Sequence, residues 1–468
     1  MADSVDLNPT FRSTLSRIGP ALGIFVLLAV VWCAPLFVRR NFAGRDLIAY
    51  NLPMEKAVHD AYARGRLPLW VSEISGGRPL LPNPNAGALY PVRMLLAPLP
   101  FATAVKLFPV LHWALAGVGI LLLARRLGIS RAGGWIGAVT YAFSGVVVSE
   151  VFFPHILPGM ALLPWIVWAV ARPGSFASRT IVLSALLAIG ILDGDVFTLG
   201  MAILAGVGWI AVGAEPSSRR ARGLALAAAC GLAVLAGLPQ ILATALWVPE
   251  TNRAVTGVTW REALQFSVPA WRLLELVIPY PFGPVWTNDR FAIWGWRLYS
   301  EKLMGLFLTL YAGALGPIAL AATWRRRSPA VRFGRFLVFT SVLLSVSWTF
   351  VPAAWRDHVA PLALRNPEKF AVLLPFGLAI LAGAALDELR GRRRLPHWIL
   401  GAGVALTLLA AAAAIAPRAA GLLAIEATRS RPDLQDIAAR QLPFALAESA
   451  SLWIATAVGL ELAPGDGP

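Results

Sequence analysis

The sequence predicts an all-α, polytopic integral membrane protein. Three observations predict it: scarce charge, recurring apolar runs and the placement of arginine. Of 468 residues, 57% are hydrophobic and only 14% are charged, with 18 Trp. Soluble domains carry about a quarter charged residues. Apolar stretches long enough for an α-helix to cross a hydrocarbon core of about 30 Å recur throughout. They lie near 20–38, 105–124, 132–149, 156–171, 179–192, 196–213, 222–246, 303–323, 333–351, 369–388, 397–416 and 444–462. The sequence therefore reads as about twelve spans in a single transmembrane domain, 1–468. The fourth and fifth runs are short enough to be tilted or broken helices.

The formal charge of +16 would suit a nucleic-acid binder, but the arginines lie in short connections. Arg12 and Arg17 precede the first run. Arg125, Arg126 and Arg131, then Arg172 and Arg179, Arg219 to Arg222, Arg325 to Arg335 and Arg390 to Arg394 follow every second run. This is the positive-inside pattern, and with twelve spans it places both termini in the cytoplasm. The basic balance is a topology signal, and no nucleic-acid partner is implied. The first run lacks a small-x-small site after it, so it reads as a span and not a cleaved signal. Cys33 and Cys230 both fall in apolar runs, as small core residues do. No Cys/His metal spacing, phosphate-cradling glycine loop or Gly-x-Ser-x-Gly elbow is present.

With that topology, three outer loops stand out. The first, 39–104, is long and dense in Pro, Gly and Asn. Its segment "DLIAYNLPMEKAVHDAYARG" reads as an amphipathic helix along the membrane, with Pro53 a possible kink and Gly65 the stop. The second, 247–302, is rich in Trp and Pro, and the third, 352–368, is short and mixed in charge. The cytoplasmic connections are short arginine turns, so the active face is expected outside the cytoplasm. The carboxylates agree, falling in outer loops or at outer helix ends. His112 is the only obvious mid-span titratable group and reads best as a packing residue. A proton-coupled transporter keeps ionisable groups near mid-membrane.

The outer face thus offers carboxylates from several segments, cations and aromatics. Asp46, just after the first span in "RRNFAGRDLIAYNLP", could serve as a general base on an acceptor hydroxyl. Arg365 and Lys369, in "LRNPEKF", or Arg78 and Arg93, could stabilise a phosphate leaving group. The same residues could equally be interfacial anchors. Asp193 and Asp195, in "LDGDVF", could bind Mg²⁺ or Mn²⁺, or could cap the helix that follows.

The order "GRD", "GRLPLW", "SGGRPLLPNPNAGALYP", "LARRLGISRAGGWIGAVTYAFSG", "HILPGMALLPW", "GLPQ", "FSVPAWRLLELVIPYPFG" and "LRNPEKF" resembles the YfhO-type bacterial membrane proteins. These are grouped with the C-type (GT-C) glycosyltransferase superfamily, and the resemblance runs from about Arg39 to Leu389. It implies a GT-C-like architecture in the bacterial cytoplasmic membrane. It also implies transfer of a sugar from a polyprenyl-phosphate-linked donor, drawn from among the membrane lipids, to an extracytoplasmic cell-envelope glycan. The family's first-loop Asp maps onto Asp46, its Arg and Lys onto Arg365 and Lys369, and a His after the third helix onto His155. The sequence departs from the pattern in having one acid in the first motif. It also ends in "LELAPGDGP", directly after an apolar run, where members often continue. A translocase of lipid-linked sugar or polymer, and a non-catalytic envelope assembly component, are the alternative expectations.

Overall fold

The computed structural model describes residues 9–37, 44, 46–251, 254, 267–283, 305–346, 366–390, 397–428 and 432–462. Arg365 lies outside them, as do most of 252–304 and all of 347–365. The chain is a bundle of apolar helices, and among the described residues it has one two-stranded hairpin, Trp70–Val71 against Arg78–Pro79, in the first loop.

Among the described residues, seven helices are long and apolar enough to cross a membrane: Phe101–Arg126, Arg131–Phe152, Phe176–Asp193, Val196–Gly213, Pro367–Leu389, His397–Ile415 and Pro432–Glu461. Pro216–Ala236 and Leu238–Glu250 make an eighth if counted together, but they bend by 67° where they meet. Gly237 and Pro239 flank that break, and neither supports a helix interior. Gly19–Trp32 and Leu157–Ala171 are apolar but shorter. Among the described residues, seven or eight of the expected twelve are therefore seen as full-length spans.

One expected span, 303–323, is a different structure. Its described part runs non-helically from Gly305 to Ala314, and only Leu315–Ala322 is helical. The main-chain N–H of Leu306 donates to Glu368 Oε2 at 2.6 Å, that of Leu308 to Ser149 Oγ at 2.8 Å and that of Leu310 to Glu275 Oε2 at 2.7 Å. Irregular backbone buried inside a protein survives only when other groups satisfy its hydrogen bonds. Here side chains from three other segments do so, which an apolar run by itself cannot reveal.

The core lies where Phe101–Arg126, Arg131–Phe152, Leu157–Ala171 and Pro367–Leu389 meet. Trp113, Tyr141, Phe333 and Phe376 are fully buried there. Phe376 sits edge-on to Phe333 at 6.1 Å and tilted to Tyr141 at 5.6 Å, pairs worth roughly 0.5–1.5 kcal/mol each beyond their burial. Lipid tails are as apolar as leucine, so close packing holds such helices together. Gly133 and Gly383 face one another, and a side-chain carbon at Gly133 would come within 2.5 Å of the Gly383 carbonyl. His397–Ile415, by contrast, turns Leu408, Leu409 and Ile415 outward.

The arginine-bearing connections around 125–131, 172–179, 219–222 and 325–335 gather at one end. Arg222 donates to the Val170 and Arg172 carbonyls, and Arg179 to the Arg172 and Gly174 carbonyls. Burial lowers the Arg172 pKa most, and the nearby Arg126 and Arg179 guanidiniums lower it further. Ser130 donates to Asp387, beside which Glu388 pairs with Arg326. Arg131–Phe152 and Phe176–Asp193 start from this end and deliver Phe152 and Asp193 to the opposite end, where the first loop sits. From there Pro367–Leu389 runs back to Asp387 and Glu388.

The first loop is docked there. A π-helical turn, Leu47–Asn51, leads into the α-helix Leu52–Ala63. Pro53 stands in the first turn of that α-helix, where its missing N–H costs nothing, and so does not kink it. The helix buries Met54 and Val58 against Val71, Leu80 and Ala86 of the same loop. Asn51 donates to the Phe152 carbonyl at 2.9 Å, Gln240 to Leu81 at 3.0 Å and Thr244 to Pro82 at 3.0 Å. Each such bond is worth about 0.5–1.5 kcal/mol. Together they pin the loop to two separate helices, Arg131–Phe152 and Leu238–Trp247.

Candidate active site

The loop end of the bundle collects ionisable side chains from five segments. Arg93 follows the "NPNAGALY" turn and is 7% exposed. Its Nη1 donates to Glu55 Oε1 at 2.8 Å, and its guanidinium lies 4.7 Å over the Phe108 ring. Its Nε and Nη2 are buried with no hydrogen-bond partner. Two donors of this buried cation therefore remain available to an anion.

Asp193 ends its helix and Asp195 begins the next. Gly194, at φ +101°, makes the turn between them and rests on the first loop. A side-chain carbon there would come within 2.2 Å of the Pro84 carbonyl. Asp195 Oδ1 accepts from the Phe197 N–H at 3.2 Å, and Oδ2 accepts from the Thr198 hydroxyl. Asp195 thus acts as a helix cap, one of the two roles its position allows. Asp193 is 1% exposed, and neither of its oxygens has a partner in hydrogen-bonding geometry.

His155 and Lys369 complete the group. His155 lies in the turn after Phe152, with Nδ1 buried and without a partner. Lys369 Nζ stands 5.3 Å over the Phe197 ring, on the helix that Asp195 caps. Burial pushes the His155 pKa down to about 4; Asp195 opposes this, and Lys369 and Arg93 reinforce it. The imidazole therefore stays neutral in the folded protein, whereas an unfolded chain protonates below about pH 6.5. His155 contributes stability in full above pH 6.5, and loses it as pH falls from 6.5 towards 4. Melting temperatures at pH 7.5 and pH 5 should accordingly fall less in His155→Gln than in the parent. Equal falls would show that His155 is solvated.

Of the residues expected from sequence, the structure brings Arg93, His155, Asp193, Asp195 and Lys369 to one place. Asp46 lies at the same end, exposed at the start of Leu47–Asn51, and makes no cap hydrogen bond to it. Its turn is tied to the Phe152–His155 segment through Asn51. Arg78 instead lies in the hairpin, 5.4 Å over the Tyr50 ring. Arg365 falls outside the described residues.

Several residues of this end were not evident from sequence. Glu55 supplies the buried partner of Arg93. The His112 Nδ1 is 2.6 Å from the Phe108 carbonyl, so it carries the proton, and Nε2 accepts from the Tyr90 hydroxyl at 2.8 Å. His112 is thus a locked packing residue. The buried Arg272 donates to Glu275 at 2.6 and 2.8 Å and to Glu368, the residue before Lys369. Glu368 therefore faces an internal clamp, while Lys369 faces the Asp195 helix. The i, i+3 spacing of Arg272 and Glu275 was a usable signal for one pair; nothing in the sequence marked the others.

The site's fit to a divalent cation is poor. Both Asp195 oxygens have capping duties, and the free carboxylate, Asp193, shares its surroundings with the Arg93 guanidinium. Among the described residues, no three His, Cys, Asp or Glu side chains are grouped to hold a metal ion.

No protein-family model matches the chain, and no curated protein matches it. Among solved structures it is similar to the arabinofuranosyltransferase AftD from Mycobacteria, at 17% identity and a TM-score of 0.50, over 95% of this chain and 27% of that one. The chain therefore spans about a quarter of AftD's length. It is also similar to ArnT from Cupriavidus metallidurans bound to undecaprenyl phosphate, at 16% identity and a TM-score of 0.48, over 93% of this chain and 77% of that one. The apo form of ArnT gives 16% and 0.45, over 94% and 78%. This chain shares the polytopic, all-α membrane fold of a known glycosyltransferase over nearly its whole length.

Proposed function

We propose that the protein is a membrane glycosyltransferase that moves a sugar from a polyprenyl-phosphate-linked donor to a cell-envelope glycan on the extracytoplasmic face of the bacterial cytoplasmic membrane. The observation that carries the reading is the buried Arg93, with two unpartnered donors, assembled with Lys369, His155 and Asp193 at the loop end. A phosphate leaving group fits those two cations. The shared fold and the YfhO-type resemblance support the same reaction class.

In this mechanism the Asp46 carboxylate takes the proton of the acceptor hydroxyl as its oxygen attacks the anomeric carbon. The bond from that carbon to the phosphate oxygen breaks, and the electron pair leaves with the polyprenyl phosphate. Arg93 and Lys369 stabilise the charge that develops there, and Arg365 is proposed to assist them. The leaving phosphate is already a weak base, so no strong general acid is needed. Neutral His155 contributes a hydrogen bond and not a charge. No step is routed through a divalent ion, and EDTA is expected to leave activity unchanged.

Mass spectrometry of envelope glycans from cells with and without the protein tests this directly. Loss of one glycosyl decoration on deletion, restored by the intact gene, supports transfer; an unchanged glycan profile contradicts it. Lys369→Ala removes one charge-assisted contact, worth roughly 1.5–3 kcal/mol, so KM for the lipid-linked donor should rise at least about tenfold. An unchanged donor KM would take Lys369 out of the phosphate site.

A further inference from the structure

We propose that the groove between the helix Leu52–Ala63 and the hairpin that follows it is a glycan-binding site, separate from the cluster around Arg93. Glu55 and Val58 turn one face of this helix towards Arg93. Lys56, Asp60 and Arg64 line its other face, across from Trp70 and Glu73. The groove between them has a volume of about 700 Å³. Small-molecule sites commonly hold about 300–1,000 Å³.

The hairpin presents Trp70 to this groove in a set orientation. The ring is 60% exposed, yet one edge rests on Gly77, where an added side-chain carbon would come within 2.8 Å of the ring. Gly77 has φ +107°, which itself favours glycine. The pairing of Trp70 with Pro79 and the Leu80 N–H bond to Leu69 hold the strand in register. Across the groove, Lys56 Nζ is 2.8 Å from Asp60, and this hydrogen bond holds the Asp60 carboxyl below its ordinary range.

A sugar presents an apolar C–H face and hydroxyls that both donate and accept. An exposed indole suits the first, and a wall bearing carboxylates and cations together suits the second. A surface built to dip into a bilayer is rich in Trp, Leu and cations. The exposed Leu67 and Leu69 beside Trp70 suit that reading. Asp60 and Glu73 line the same groove with Lys56, Arg64 and Arg66, and this mixture of acceptors and donors suits a polyhydroxyl ligand. The proposal deepens the glycosyltransferase reading by giving the acceptor a docking place, but binding here does not require transfer.

The test uses the full chain in nanodiscs, immobilised, with oligosaccharides released by partial acid hydrolysis of the host envelope as probe. Retained neutral sugar should be saturable, should drop at least tenfold in Trp70→Ala and Asp60→Asn, and should be kept in Trp70→Phe. A second measurement places a bimane label at Leu67→Cys in a chain with Cys33 and Cys230 replaced by alanine. Aqueous iodide should quench it, and the oligosaccharides should protect it. Retention no greater than on empty nanodiscs, or quenching by brominated acyl chains, would overturn the proposal; the latter would make the hairpin a membrane anchor. Asp46→Asn should retain sugar as the parent does. If Asp46→Asn also kept full transfer, the catalytic reading would fail while the glycan site stood.

Discussion

Arg272→Met is expected to cost about 3–5 kcal/mol, a large share of the net stability of about 5–15 kcal/mol that a folded domain commonly has. Arg272 is 2% exposed, and it neutralises Glu275 and Glu368, which are 5% and 0% exposed. It also donates to the Phe307 carbonyl at 2.9 Å. Burial pushes the Glu275 carboxyl up, and the guanidinium beside it works in the opposite direction. Without that cation two carboxylates share a dry site, and at least one must protonate. The cost reaches further, because those carboxylates also receive the N–H groups of Leu306, Phe307 and Leu310. Thermal unfolding in nanodiscs should therefore show a fall of many degrees, together with reduced expression. Arg272→Lys should lie between, since an ammonium keeps the charge but loses the forked geometry. Adding Glu275→Gln and Glu368→Gln to Arg272→Met should recover part of the loss, because the uncompensated charges go too. A melting temperature within a degree of the parent would show that the clamp is dispensable.

Asp46→Asn is expected to lower the rate of transfer by about 10²–10⁴, the range general-base catalysis commonly supplies. Melting temperature and expression should not change. Asp46 is exposed and makes no cap hydrogen bond, so its amide analogue disturbs no contact that holds the loop. The readout is the envelope glycan profile of cells carrying only the variant. Loss of the same decoration that is lost on deletion would make Asp46 the base. A normal profile from the variant, with loss on deletion, would leave a protein needed for glycosylation that performs it by another residue or not at all.

Much of the site was legible because its residues carry local signals. "LDGD" places two acids around a glycine at a helix junction, and "NPEK" sets a lysine at a helix start. Arg93 follows a turn dense in Asn, Pro and Gly. What those signals could not supply was partnership. Glu55 is separated from Arg93 by 38 positions and Arg272 from Glu368 by 96, and each was one acid or base among many. The two readings open for Asp195 were separated only by where its oxygens point, at Phe197 and Thr198.

The sequence by itself determined that this is a helical membrane protein. Composition and hydropathy decide that property, because each helix meets the bilayer largely on its own. Only the tertiary structure decided that the apolar stretch from Gly305 to Ala314 is not helical, that Glu368 holds it, and that the first loop lies over Asp193. Those outcomes depend on hydrogen bonds and ion pairs between segments far apart in the chain. A buried backbone N–H takes whichever acceptor the fold brings to it.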